Sequence, residues 1–479
     1  PLSYGFTVAQ PDPVSSAHEQ LHHLGSGGQQ HFHSRPDLEP PVVFVHRTSP
    51  LQSPGDTFIA PYDVRGSAGP MILDPAGRLV WFQPLKPPTV ATNLRVQRLH
   101  GAPVLTWWQG TITSHGFGIG VDEIDSSSYR RLAVVKAGNG LAADLHDFQI
   151  TPAGTALLTA YYPIRCDLSP IGGGSDAAVT DSLLQEIDIR TGLVMFEWTS
   201  VDHVALTDSY STVAGSSASW PFDFFHLNSI NLDGDGSLLV SSRNTWAADD
   251  IDGATGQILW TLGGKQSSFT DGPGAATAFQ HDARPIGSDA VSLFDNGATP
   301  QEHLQSRGVV LAIDPATKVV SVRQQFLHPG HRLLAQSQGN LQALPDGSWF
   351  VGWGQEPDLS EFSSTGGLLF DASFPSGYVS YRALSFPWQA APADAPALAV
   401  SRNDAYASWN GATGVARWEL REGRTATGLR HIGSVGRAGF ETTIPLLRAT
   451  SERYAEVRAL DANGHVLAAS AVTRIPAAS

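Results

Sequence analysis

The chain has 479 residues, 41% of them hydrophobic, with 48 Gly, 32 Pro, 12 Trp and 21 Phe, which is apolar mass for a large core and turn formers for many short strands. Its 45 acidic against 30 basic residues leave a net charge of -15, which argues against nucleic acid or an anionic membrane as partner. The single cysteine, Cys166, excludes an internal disulfide and a cysteine-based zinc cluster, and no apolar run reaches the ~20 residues that span a bilayer.

Residues 1–40 mix His, Gln, Gly and Pro without periodicity and predict an extended arm that wraps or closes the domain after it. The chain opens on Pro1 rather than Met and without the charged and apolar regions of a secretory leader; an exported protein whose leader has been removed is one expectation consistent with that start. From about residue 41 to 388 one phrase recurs six times: an apolar residue, an anchor, a tight turn, then an apolar strand that often carries an aromatic. The anchors are Asp74, Asp125, Asp188, Asp252, Asp314 and Ser363, roughly 50–65 residues apart. A unit of that length with hairpin turns suits a four-stranded antiparallel sheet, and radial repetition protects the edges of such sheets. The sequence therefore predicts an all-β chain containing a six-bladed β-propeller.

A second repeat precedes the central strand of the units. It reads His146-Asp-Phe-Gln-Ile, His226-Leu-Asn-Ser-Ile, His281-Asp-Ala-Arg-Pro and Asn340-Leu-Gln-Ala-Leu, with a weaker member at Asn93. Equivalent positions of successive blades lie at one height, so these imidazoles and carboxamides are expected to converge on one end of a central channel. Each could also do no more than satisfy buried backbone groups or order water. Arg307, between Ser306 and Gly308 ahead of an apolar strand, is a candidate to turn a bidentate guanidinium inward on an anion; a surface Arg at a strand start is the alternative. Three histidines raise a zinc reading, but ligands on separate strands are not shown by spacing to come within a metal's reach, and no metal or cofactor is expected. The turn at Asp233-Gly-Asp-Gly lacks the carboxylates of a calcium loop. No Gly-x-Ser-x-Gly elbow, Walker A loop, Rossmann fingerprint or His-Glu-x-x-His occurs.

Residues 389–398, rich in Ala and Pro, read as a linker. Residues 399–479 contain short alternating strands and turns, the pattern of a small β-sandwich; the Trp409-Asn-Gly-Ala-Thr phrase, Trp418 and the Tyr454-Ala-Glu-Val-Arg-Ala-Leu-Asp run resemble a fibronectin type III module.

Several phrases in one order, Ala143-Asp-Leu-His-Asp-Phe-Gln-Ile, Phe225-His-Leu-Asn-Ser-Ile, Leu262-Gly-Gly-Lys, Phe279-Gln-His-Asp-Ala-Arg, Phe294-Asp-Asn-Gly and Ser337-Gln-Gly-Asn, resemble the arylsulfotransferase-like family of fungi and actinobacteria over roughly residues 30–390. The resemblance implies a propeller that moves a sulfuryl group between phenols without a nucleotide donor, through a transiently sulfated histidine. It implies catalytic roles for His226, His281 and Arg307; with the ring of polar residues it makes His146 a further catalytic candidate and Asn340, Asn228, Asn93 and Gln338 the expected substrate contacts. The family's sulfated histidine falls at Asn340 here; His328 and His331 are nearby substitutes only if a loop carries them inward. The alternative is a propeller that has kept the pocket and lost sulfuryl transfer. It would act as a cofactor-free cyclase or isomerase on an aromatic natural product, or as a binding protein. The expected partner is a small phenolic molecule, and the sequence sets no oligomeric state.

Overall fold

The computed structural model describes residues 28–64, 66–298, 300–446 and 454–476. Strands dominate; the described residues contain two short 3-10 turns and no α-helix, and hence no helix long and apolar enough to cross a membrane. The all-β class expected from the sequence is what forms.

Six sheets share one antiparallel order of four strands, innermost to outermost. Sheet II is Val90–Leu99, Ala102–Ile112, Gly118–Ser126 and Arg131–Val135. Sheet III is Phe148–Ile150, Thr155–Cys166, Ala177–Asp188 and Val194–Thr199. Sheet IV is Leu227–Leu232, Leu238–Ser242, Ala247–Ile251 and Ile258–Gly263. Sheet V is His281–Pro285, Ala290–Asp295, Arg307–Asp314 and Val319–Phe326. Sheet VI is Asn340–Ala343, Trp349–Gly352, Asp358–Phe362 and Leu368–Ser373, with Phe44–Arg47 added on its outer edge. Sheet I takes Asp56–Tyr62, Met71–Leu73 and Leu79–Phe82 from the start of the repeats and its innermost strand, Val379–Phe386, from their end. The innermost strands touch in cyclic order, II to III to IV to V to VI to I and back to II.

Five of the anchors stand where the third strand of their sheet passes into the hairpin to the outermost strand; Asp125 lies one residue earlier, inside Gly118–Ser126, and there the Ser126 hydroxyl takes the turn position, accepting from Ser128 N and Arg130 N. The reason is local. The Asp74 carboxylate accepts the backbone N–H groups of Ala76 and Arg78 at 3.0 and 2.9 Å, Asp252 those of Ala254 and Thr255, and Asp314 those of Ala316 and Thr317, which closes an Asx turn. In the first of these Gly77 takes φ 75°, a left-handed backbone that glycine adopts without a Cβ penalty. The cores lie between sheets: Trp108, Leu158 and Tyr381 are buried in one cluster, Phe294, Trp353 and Leu341 in another.

Carboxamides fasten alternate sheets to their neighbours. Asn93 of sheet II donates to the carbonyls of Leu145 and His146 at 2.6 and 3.1 Å, just ahead of the inner strand of III. Asn228 of IV donates to Gln280 O (2.9 Å) and accepts from Asp282 N (3.3 Å) in V. Asn340 of VI donates to Ala383 O and accepts from Ala383 N at 2.8 and 2.9 Å in I. A buried amide that meets a backbone N–H and C=O together replaces the ladder that two such neighbouring strands lack.

The described residues from 397 to 474 form two further sheets, Ala397–Val400 with Asp404–Ser408 and Glu441–Pro445, and Arg430–Gly436, Arg417–Gly423, Tyr454–Leu460 and Val466–Ala469 with Thr473–Arg474, around a core of Trp409, Trp418, Leu420 and Val457. This unit docks on the outermost strand of sheet I, where Asn410 accepts from Phe82 N and donates to Phe82 O at 3.0 and 2.9 Å. Of the expected N-terminal arm, residues 1–27 lie outside the described residues; Phe32 and Leu38 pack in the same core cluster as Phe82 and Phe440, and Ser34 N donates to Glu441 at 2.6 Å.

Candidate active site

The inner strands begin at one end of the channel, and there a cavity of about 750 Å³ opens, lined by His146, His226 and His281 with Arg243, Tyr381, Asp223, His115 and Gln338 among others. The three histidines named from the sequence are therefore brought together. Several residues here hold left-handed backbones: His226 at φ 61°, Phe279 at 54°, Asp282 at 58° and Gln338 at 67°. Side chains with a Cβ hold this conformation at a cost, and such strain persists where the surroundings over-determine it.

His146 and His226 are each backed by a carboxylate. The Nδ1 of His146 bonds Asp144, which also accepts the N–H of His146 (2.9 Å) and the Thr159 hydroxyl (3.2 Å). His226 Nδ1 lies 2.5 Å from Asp223. An ionised carboxylate only accepts, so each ring carries its proton on Nδ1 and leaves Nε2 for whatever the cavity holds. The two rings meet edge to face with centroids 4.8 Å apart. Burial pulls the His226 imidazolium below its ordinary pKa, against the opposing pull of Asp223.

His281 is set differently. Its Nδ1 faces two carbonyl oxygens, Asn296 Oδ1 at 2.7 Å and Phe279 O at 3.1 Å. The Asn296 amide is oriented by its own donations to Ala335 O and Gln338 O at 3.1 and 3.0 Å, so oxygen, not nitrogen, meets the imidazole. Nδ1 is thus the protonated nitrogen and Nε2 carries a lone pair. Burial first, and then the Arg243 guanidinium, hold this ring well below the ordinary histidine pKa. It is a neutral imidazole with a fixed tautomer.

Arg243, in the turn after Leu238–Ser242, is the cavity's cation. Its Nη1 donates to Asn244 at 2.8 Å, its Nε has no hydrogen-bond partner, and its guanidinium lies 5.0 Å from the Phe279 ring centroid. Tyr381 stands edge-on to both His146 and His281, 5.6 and 6.4 Å between centroids. Its hydroxyl is buried without a partner, and burial holds its proton well above the usual phenol pKa, against the Arg382 guanidinium. At the rim His115 packs against Trp220 with centroids 4.3 Å apart.

The other candidates lie elsewhere. Arg307 does not line this cavity: its Nε donates to the buried Asp295 (2.9 Å), and its terminal nitrogens to Gln325 (3.1 Å) and Ala276 O (3.0 Å). It starts the third strand of its sheet and so stands away from the axis. Asn93, Asn228 and Asn340 use their amides on neighbouring backbone as described, and none of them lines the cavity; Gln338 does. His328 packs by His331 and Trp353, with Asp371 and Asp358 3.5 and 3.7 Å from its Nε2, outside the histidine cavity. Among the described residues no group of three or more His, Cys, Asp or Glu side chains is placed to hold a metal ion.

Sequence reasoning missed Arg243, Tyr381, Asp144 and Asp223. The carboxylates had a signal, an Asp two or three residues ahead of a His. Tyr381-Arg382 had a subtler one: sheets III, V and I present His146-Asp147, His281-Asp282 and Tyr381-Arg382 at matching places, the first residue turned to the cavity and the second into the channel.

The solved structures that match share little sequence with this chain. A protein of unknown function from Bacteroides caccae is 14% identical, with 70% of this chain and 99% of that chain covered and a TM-score of 0.42. A catalytically inactive virginiamycin B lyase from Staphylococcus aureus with quinupristin is 11% identical over 77% and 97%, TM-score 0.32. A GH43 protein, BlXynB, from Bacillus licheniformis is 8% identical over 80% and 88%, TM-score 0.31. No curated protein matches the sequence. Residues 95–375, more than half of the chain and the stretch that carries His146, His226, Arg243 and His281, match the arylsulfotransferase (ASST) family, and the chain belongs to that family.

Proposed function

We propose that this protein is a nucleotide-independent aryl sulfotransferase built on a six-bladed β-propeller, with the C-terminal pair of sheets as a fibronectin-III-like module, and that His281 is the group that accepts the sulfuryl unit. The observation that carries the reading is the fixed, neutral His281 imidazole beside Arg243, with two carboxylate-backed histidines in the same cavity. Membership in the family supplies the reaction class.

In the first half-reaction the His281 Nε2 lone pair attacks sulfur. The N–S bond forms, the bond from sulfur to the aryl oxygen breaks, and the aryl group departs as the phenolate. The Nδ1–H of His281 donates to Asn296 and Phe279 O, which stabilises the positive charge that sulfation places on the ring. Arg243 neutralises charge on the sulfuryl oxygens. In the second half a phenol gives its proton to the free Nε2 of His226 or His146, its oxygen attacks sulfur, the N–S bond breaks and His281 leaves as the neutral imidazole; the imidazolium then returns that proton to solvent, where the released phenolate takes one up. Asp223 and Asp144 hold each of these rings in one tautomer and offset its charge when protonated.

A second reading has its own support. The two His–carboxylate pairs and the unpartnered Tyr381 hydroxyl are a complete acid–base set for proton transfer on one aromatic substrate, with no sulfuryl group required. Turnover separates the two. Purified protein given a chromogenic aryl sulfate and a second phenol should release coloured phenol and form the new sulfate ester, and His281→Asn should abolish both. A wild type inert toward a panel of aryl sulfates, with His281→Asn unaltered in its binding of phenols, moves the assignment to the cyclase or isomerase reading.

A further inference from the structure

The far end of the same channel carries a second cavity, of about 820 Å³. It is reached at the ends of the inner strands rather than their starts, and an ion-pair plug separates it from the histidines. Arg95 and Arg284 bond the buried Asp147 carboxylate through one Nη2 each, and Arg382 reaches it at 3.2 Å. Asp282 takes Arg284 Nη2 at 2.6 Å and Arg382 Nε at 2.9 Å. Three guanidiniums thus face two carboxylates. Asp122, nearby, does not line this cavity; burial, then Asp144 and Asp147, push its carboxyl well above the ordinary range, and neither of its oxygens has a hydrogen-bond partner.

Arg95, Arg284 and Arg382 all line the second cavity, and Arg98 stands at its rim with His100; Asp282 and Asp233 are the carboxylates facing it. In a chain of net charge -15 this end of the channel is net positive. The Arg95 Nε is buried without a partner, and its side chain is only 11% exposed. A guanidinium does not relieve such a position by losing its proton. A concave site with surplus positive charge and polar walls, here Gln149, Asn231 and Gln342, focuses field on an anion.

We propose that this second end of the channel binds a small oxyanion, a phosphate, sulfate or carboxylate, against Arg95 with Arg98 at its rim, independently of the histidine cavity. The test uses the full chain carrying Arg243→Gln, so that the histidine cavity lacks its cation. Inorganic phosphate, sulfate and acetate are titrated separately by calorimetry at low salt. The expected result is one saturable site for at least one of the three, with the order of affinities distinguishing a tetrahedral oxyanion from a carboxylate. Arg98→Glu on that background, at an exposed position, should weaken binding roughly ten-fold, and Arg95→Gln should remove it, with Arg284 and Arg382 still holding Asp147. No saturable binding in the Arg243→Gln chain overturns the proposal, and so does binding that Arg98→Glu leaves unchanged.

Discussion

Each histidine of the cavity is defined by what its Nδ1 touches. Carboxylates at Asp144 and Asp223 make His146 and His226 suited to move protons; amide and peptide oxygens make His281 suited to stay neutral. The sign for pH follows. A ring whose pKa is lowered keeps its lone pair further into acid, so the acid limb of kcat/KM assigned to His281 should lie below the ordinary histidine pKa of about 6.5. The two arginines separate by the same logic. Arg243→Gln is expected to lower kcat by about 10²–10³ with the melting temperature nearly unchanged, because the residue faces charge that develops in the reaction. Arg307→Ala should keep turnover and lose on the order of 3 kcal/mol of stability, since it leaves the buried Asp295 without its guanidinium. Parallel kinetics and thermal melts on the two variants read both outcomes, and the opposite pattern would restore Arg307 to the site.

At the scale of strands and turns, the hairpins were legible because their cause is local: an Asp carboxylate and a few backbone N–H groups within four residues. The carboxamides were visible but their direction was not. Asn340 stands at the place where the resemblance expects a histidine, yet its partners are the N–H and C=O of Ala383, over forty residues away. Asn340→Ala should therefore cost about 2–4 kcal/mol by orphaning two buried backbone groups, and denaturant unfolding measures it; a loss of turnover without loss of stability would contradict a fastening role. The start of Asp56–Tyr62 offers a pH test. Burial, then the Asp74 charge, raise the Asp56 carboxyl to about 7, against Arg437. The folded state thus prefers the protonated form, and its stability declines as pH rises from the unfolded carboxyl value near 4 through about 7. Asp56→Asn should raise the melting temperature above that of the wild type at pH 8, and much less at pH 4. Equal gains at both pH values would mean that ionisation is not the cause.

For the whole molecule, the repeat count was readable and the closure was not. Six anchors match six four-stranded sheets, but the strand that completes sheet I arrives about 320 residues after the strand it pairs with, and no local pattern marks that pairing. Tyr381 and Arg382 escaped notice for this reason, since only the closed ring of inner strands puts them level with His146-Asp147 and His281-Asp282. Arg307 was misplaced for the complementary reason: a strand start looks alike on any strand, and only the sheet order shows that it is third from the axis. The ring brings His146, His226, His281, Arg243 and Tyr381 from distant segments to one end of the channel, and the assignment of His281 as sulfuryl acceptor stands on that convergence. The direct test is to mix the enzyme with an aryl sulfate in the absence of acceptor, quench in alkali, digest, and map any added SO₃ by mass spectrometry. The account predicts one sulfuryl group on the peptide containing His281, discharged when a phenol is added and absent in His281→Asn; turnover with that peptide unlabelled, or with the label on another residue, would contradict it.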